Sequence, residues 1–304
     1  MNGVTTDVHQ HLWPEAFVTA LRARLRAPRL DGWTLCLDGE PPSEVRPEDH
    51  DAAARAALDS DVGLIAVSLS CPLGIEYLPP EESAPLLAAW HEGAGAFGEP
   101  FVGWASANHV DADLDGLAGL LAAGFVGVQV PATEMADPYS LDRLAPVLRG
   151  AEQAGRPVLV HPGPVPPRPA ERGEVPGWWP AVVDYVGQMQ AAWWTWVAAG
   201  RQLLPSLRIC FAAGAGLAPL QQERFTARGG GEPVADEGAF VDTSSHGRRA
   251  LRELFDALGP DAVVLGSDRP YAGPTDPDLG ADVTEAIRVA NPARLLAVAG
   301  HQRS

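Results

Sequence analysis

Apolar runs of five to eight residues recur along this chain, and each is followed by a stretch with helical spacing. The runs cover residues 63–70, 101–105, 125–130, 157–161, 207–213, 239–243 and 262–267, with a shorter one at residues 5–7 before them. The helical stretches cover residues 15–26, 47–60, 83–97, 113–123, 141–154, 181–199, 217–228 and 248–258, and two more close the chain. Near-continuous apolar runs mark strands buried on both faces, as in parallel sheets. Eight strand–helix units in 304 residues predict a (β/α)8 barrel, one α/β domain spanning residues 1–304. The rival is an open doubly wound sheet, which usually has fewer strands and a glycine-rich phosphate turn after the first. Here the first turn reads His9-Gln10-His11-Leu12-Trp13-Pro14, which cannot cradle a pyrophosphate. Residues 27–48 are rich in Pro, Gly and charge and predict an irregular excursion, with a short strand at residues 33–37.

Composition narrows the function. The chain is 46% hydrophobic, enough for a sizeable core, yet it has no uninterrupted apolar run long enough to span a membrane. No basic segment followed by an apolar one opens the chain, so no secretion signal is expected. Cys36, Cys71 and Cys210 form an odd set without CxxC spacing, which suits a reducing, cytoplasmic setting. The net charge of -17 opposes binding to nucleic acid or anionic membranes and leaves a small molecule or a protein as partner.

In a barrel of this kind the chemistry sits at the C-terminal ends of the strands. His9 and His11 end the first strand, two residues apart and therefore on one face. His161 ends the fifth, and Asp268 follows the eighth. Each alone has a plain structural alternative: a core histidine with one hydrogen bond, or a turn acceptor. Together, three imidazoles and a carboxylate at one mouth suit zinc or another divalent transition metal.

These residues resemble the amidohydrolase superfamily, and within it the amidohydrolase-related branch that includes aminocarboxymuconate-semialdehyde decarboxylase. The resemblance also rests on Phe211-Ala212-Ala213-Gly214-Ala215-Gly216-Leu217, Glu223-Arg224-Phe225, Val241-Asp242-Thr243-Ser244-Ser245 and Gly266-Ser267-Asp268-Arg269-Pro270. It implies that His9, His11, His161 and Asp268 hold one metal, zinc by expectation, and that Asp268 deprotonates the attacking water. Two departures stand out. Where the family places a histidine after the sixth strand, this chain has Ala213, which removes a proton carrier of a kind worth about 10²- to 10⁴-fold in rate. Where some members carry a metal-bridging lysine or glutamate on the fourth strand, this chain has Gln129, so one metal is expected and not two.

The expected activity is hydrolysis of a small ester, lactone or amide by Asp268, with His246 as substitute proton carrier. The first alternative is a metal-dependent decarboxylase of a small unsaturated or aromatic acid. The second is a degenerate barrel that binds a ligand without turnover. On the substrate side, Trp13 is a candidate pocket wall, Arg269 a candidate carboxylate clamp, and Trp178 part of a lid formed by the loop at residues 162–180. Trp193, Trp194 and Trp196 are assigned to the core or to a homodimer interface. Cys71 is expected to be a small buried residue and not a nucleophile.

Overall fold

The computed structural model describes residues 3–167, 175–232 and 235–297. Eight parallel strands form one sheet in the order of the chain: β1 (Thr6–Gln10), β5 (Leu64–Val67), β6 (Phe101–Ala105), β7 (Gly127–Pro131), β8 (Val158–His161), β9 (Ile209–Phe211), β10 (Ala239–Asp242) and β11 (Val263–Val264). The sheet closes on itself. Val8 N donates to Leu265 O at 2.9 Å, Asp268 N to His9 O at 2.9 Å, and His11 N to Arg269 O at 2.7 Å. This seam sets the two ends of the chain side by side.

The strands lie where the apolar runs predict, though most are shorter than the runs themselves. The barrel is sealed on both faces, so the apolar sequence overshoots the ladder at its ends. Val8, Ile65, Val67, Trp104, Val128 and Leu159 have no solvent exposure. Two indoles stitch an outer helix to the first strand. On the helix Pro80–Ala96, Trp90 Nε1 donates to Trp104 O at 3.3 Å, and Trp104 Nε1 donates to Val8 O at 2.9 Å.

Three differences from the sequence reading have physical causes. The first helix covers Glu15–Arg22, so Leu25 falls beyond its end and is 95% exposed, while Phe17 and Leu21 are buried. Residues 27–48 hold more order than predicted: β2 (Arg29–Asp31), β3 (Thr34–Cys36) and β4 (Ser43–Glu44) make a three-stranded antiparallel flap. Leu30 pairs with Leu35, and both are buried. Third, the helix expected at residues 217–228 covers only Gln222–Ala227. The chain first makes a left-handed turn, with φ of 48° at Ala213, 54° at Gly214 and Ala215, 60° at Gly216 and 61° at Leu217. Each non-glycine residue there costs on the order of 1–2 kcal/mol.

The long helix expected at residues 181–199 is present as Tyr185–Thr195, flanked by wide π turns at Pro180–Asp184 and Trp196–Gly200. Trp193 and Trp196 are core residues, and Trp194 stacks on Phe225 with centroids 5.0 Å apart. Part of the expected lid, residues 168–174, lies outside the described residues. Among the described residues no helix is long and apolar enough to cross a membrane.

Trp104→Phe removes the indole donor to Val8 O, one residue before His9. It is expected to lower stability by about 1–3 kcal/mol, read from urea unfolding, because a buried carbonyl loses its partner.

Candidate metal centre

Alternation along β1 puts His9 and His11 on the same face, and His161 enters from the end of β8. Their Nε2 atoms converge: His9 to His11 is 3.2 Å and His11 to His161 is 3.2 Å. Asp268 Oδ1 lies 3.1 Å from His11 Nε2 and 3.5 Å from His9 Nε2. The three rings stand nearly perpendicular to one another, at 83° to 86°. Ligand atoms around a four-coordinate ion with bonds of about 2.0–2.1 Å sit roughly 3.3 Å apart. The four predicted ligands therefore meet at the spacing a single small cation requires, and among the described residues no other cluster of this kind occurs.

Each imidazole is turned by its far nitrogen. His9 Nδ1 is 2.7 Å from Asp242 Oδ2, His11 Nδ1 is 3.0 Å from Ser68 O, and His161 Nδ1 is 2.9 Å from Pro162 O. All three partners are acceptors, so the hydrogen sits on Nδ1 and the Nε2 lone pairs point at one another. Three lone pairs and a carboxylate packed this closely repel unless a positive charge lies among them, and a divalent ion fits that demand. A proton on His9 Nε2 would meet part of the same demand. Burial opposes a proton on His9, but the Asp242 carboxylate outweighs it and lifts the imidazole to about 9. Burial pushes His11 and His161 below the ordinary histidine value. Burial would raise Asp268, yet the adjacent His11 and the charge of His9 hold it well below the usual carboxylate range.

Further groups hold this geometry. Asp242 has no exposure, and its Oδ1 accepts from Ser244 N at 3.0 Å and Ser244 Oγ at 2.6 Å. A Cβ on Gly266 would come within 2.6 Å of Asp242 Oδ2, so glycine is what lets the last strand pass this close. Asp268 and Ser245 both adopt left-handed φ, at 56° and 62°. This places Ser245 Oγ 3.2 Å from Asp268 Oδ2. Such strain persists only where surrounding contacts over-determine it. Next to β1, Gln10 Nε2 donates to Asp7 at 2.8 Å and Asp59 at 3.0 Å, and Arg55 bonds to Gln10 Oε1 and to His11 O.

The other predicted site residues are placed as follows. Trp13 is 1% exposed. Its indole donates to Ser70 Oγ at 3.3 Å, and its ring stacks on His50 at 4.5 Å. It is a packed support beside the histidines, not an open wall, because packing against the core on one side and His50 on the other leaves it no free face. Arg269 is committed to Asp59, with Nε 3.1 Å from Oδ1, so a buried carboxylate already occupies the proposed clamp. Trp178 is 57% exposed, and its ring contact is with Trp179, not with the cluster. The space beside Ala213 is taken by His246, whose Nε2 lies 2.9 Å from Ala213 O and whose ring rests on Gly214. His246 is not one of the four converging groups. Gln129 and Cys71 are fully buried, with Gln129 Nε2 3.1 Å from Cys71 Sγ, and burial pushes the thiol up, as expected of a non-nucleophile.

Asp242 and Ser245 stood in the Val241–Ser245 stretch that carries the resemblance, but sequence reasoning assigned neither of them a role. Tyr271, whose ring centroid is 5.4 Å from that of His11, carried no signal.

No family model matches the chain. It is 28% identical over 166 residues to the 2-amino-3-carboxymuconate-6-semialdehyde decarboxylase of Dictyostelium discoideum, a match covering 50% of this chain and 45% of that protein. The chain thus spans less than half the length of this relative. Its fold is similar to that of 5-carboxyvanillate decarboxylase from Sphingomonas paucimobilis, with a TM-score of 0.74, 19% identity, and 97% and 99% of the two chains covered. It is likewise similar to 5-carboxyvanillate decarboxylase from Novosphingobium aromaticivorans complexed with manganese and 4-hydroxy-3-methoxy-5-nitrobenzoic acid: TM-score 0.72, 15% identity, 97% and 96% covered. The resemblance read from the sequence is therefore met by both comparisons, and the barrel fold is shared. The relatives named are decarboxylases, so hydrolysis, the activity first expected, draws no support from them, whereas its first alternative does.

His9→Ala is expected to abolish stoichiometric metal retention, measured by elemental analysis of the purified protein. Asp242→Asn should weaken metal affinity by about 10- to 100-fold, because it loosens a ligand without deleting one. Gly266→Ala should act in the same direction by displacing Asp242.

Proposed function

We propose that the protein is a metal-dependent decarboxylase that releases CO2 from a small aromatic or unsaturated acid. The observation that carries this reading is the donor set itself. Asp268 is the single carboxylate among the converging groups, and the position after β9 where the family has a second proton carrier is Ala213. Hydrolysis of an ester or amide moves two protons, one off water and one onto the leaving group. Decarboxylation moves one. The relative's name as a decarboxylase supports the same choice.

His9, His11, His161 and Asp268 would hold one divalent ion, which would supply Lewis-acid polarisation of the bound acid. The imidazole-rich set suits zinc, while manganese is the ion in the Novosphingobium structure of similar fold. The residues themselves do the rest. Asp268 is 17% exposed, the most open of the four, and rests as a carboxylate. The substrate enters already ionised, so the proton that its carbon gains is one that Asp268 takes up from solvent. As the bond to CO2 breaks, the electron pair stays on carbon, and Asp268 delivers the proton there. No water is consumed. Asp242, Ser68 and Pro162 keep the histidines aimed throughout, and Ser245 holds the second oxygen of Asp268.

The test is CO2 release from a panel of hydroxybenzoates and unsaturated acids by metal-loaded protein, run beside lactones and amides. CO2 is expected, with loss on chelation and recovery on adding zinc or manganese. Asp268→Asn, which keeps an oxygen ligand, should slow the reaction by about 10²-fold or more. Turnover of lactones or amides without CO2 would replace this reading with hydrolysis.

A further inference from the structure

A cleft of about 400 Å³ opens on the same end of the barrel, within the size range of small-molecule sites. Three of its walls are the segments that leave the strands at the mouth: Leu73 and Leu78 after β5, Thr133 after β7, and Pro164 after β8. The fourth wall is the flap, through Pro28 and Asp38. The cleft adjoins the metal centre through a short piece of chain. A Cβ on Gly163 would strike Thr133 Oγ1, so the cleft floor packs against the backbone two residues past His161. The flap is a fixed wall. Gly39, at φ 84°, sits so close that a Cβ would meet Val165 O, and Tyr185 Oη donates to Glu40 Oε1 at 2.5 Å.

The chemistry of the lining is one-sided. It is dominated by proline and aliphatic side chains, and the hydroxyls of Tyr77 and Thr133 bond to each other at 2.5 Å. The chain has 22 basic residues, yet among the described residues none lines this cleft, and Asp38 is its one carboxylate. A second acid group on a ligand would find no partner there and a like charge at the rim.

We infer that this cleft receives the substituent of the substrate, and that the substrate is a monocarboxylic acid whose substituent is apolar and uncharged. The inference rests on the decarboxylase reading above and adds the substrate class. The acid group faces Asp268 and the metal ligands, and the substituent lies between the flap and the proline-rich segment after β8. Each methylene buried in such a cleft strengthens binding roughly fourfold.

The test is calorimetric titration of metal-loaded protein with benzoate, 3- and 4-alkylbenzoates of growing chain length, isophthalate and terephthalate. Affinity is expected to climb by roughly fourfold per methylene in one alkyl series and to fall for the dicarboxylates. Leu78→Trp, which fills the cleft, should erase the alkyl gain, so that alkylbenzoates bind no better than benzoate. Asp38→Arg, at an exposed position that does not threaten folding, should raise affinity for a dicarboxylate at least fivefold over wild type. If benzoate binds but alkyl groups add nothing, or add as much in Leu78→Trp, the cleft assignment falls and the decarboxylase reading stands. If benzoate fails to bind at all, both fall.

Discussion

Mutual repulsion at the centre of the barrel governs this structure. Three imidazole nitrogens and a carboxylate are held within hydrogen-bonding distance of one another, an arrangement that needs positive charge among them. The surrounding fold makes that tolerable by fixing each ring from behind. Asp242 does so with charge, and Ser68 and Pro162 do so with backbone carbonyls. The deeply buried Asp242 acts in two ways at once. It orients His9, and it raises the readiness of that ring to share a positive charge. Asp242 is held in turn by Ser244, whose hydroxyl also accepts from Ala213 N at 3.0 Å. Ala213, which stands where the family that the sequence resembles has a histidine, is thus linked to the four converging groups through its backbone, even though its side chain brings no chemistry.

Much of this was legible in the sequence, for reasons that can be stated. A strand sealed on both faces must be apolar throughout, so each run announced itself, and eight of them left few topologies open. His9, His11, His161 and Asp268 were visible because a polar residue at the end of such a run has to be there for something. The flap was harder. Its strands are two or three residues long and packed on one side, so the period-2 signal had no length in which to show. The left-handed turn at residues 213–217 was invisible for a different reason. Alanine and leucine favour right-handed helix, and tertiary hydrogen bonds from Ala213 N to Ser244 Oγ and from Gln190 Nε2 to Gly216 O help hold the opposite hand.

Side-chain partners were the least legible of all. Arg269 reads as a substrate clamp because arginine beside a catalytic carboxylate so often is one. It is instead engaged by Asp59, far earlier in the chain, and only the folded molecule shows that pairing. Trp13 likewise reads as a wall but serves as packing, with His50 stacked on it and Trp33 stacked in turn on His50. His246 fills the gap at Ala213 without joining the four ligands, so position alone did not carry a role.

The seam between β1 and the end of the last strand has a consequence for how the site comes into being. Asp268 lies more than 250 residues after His9 and His11, so the ribosome releases the histidine pair long before its carboxylate partner. Until the seam forms the four groups cannot converge, so a site for a single cation would be completed only as the barrel closes.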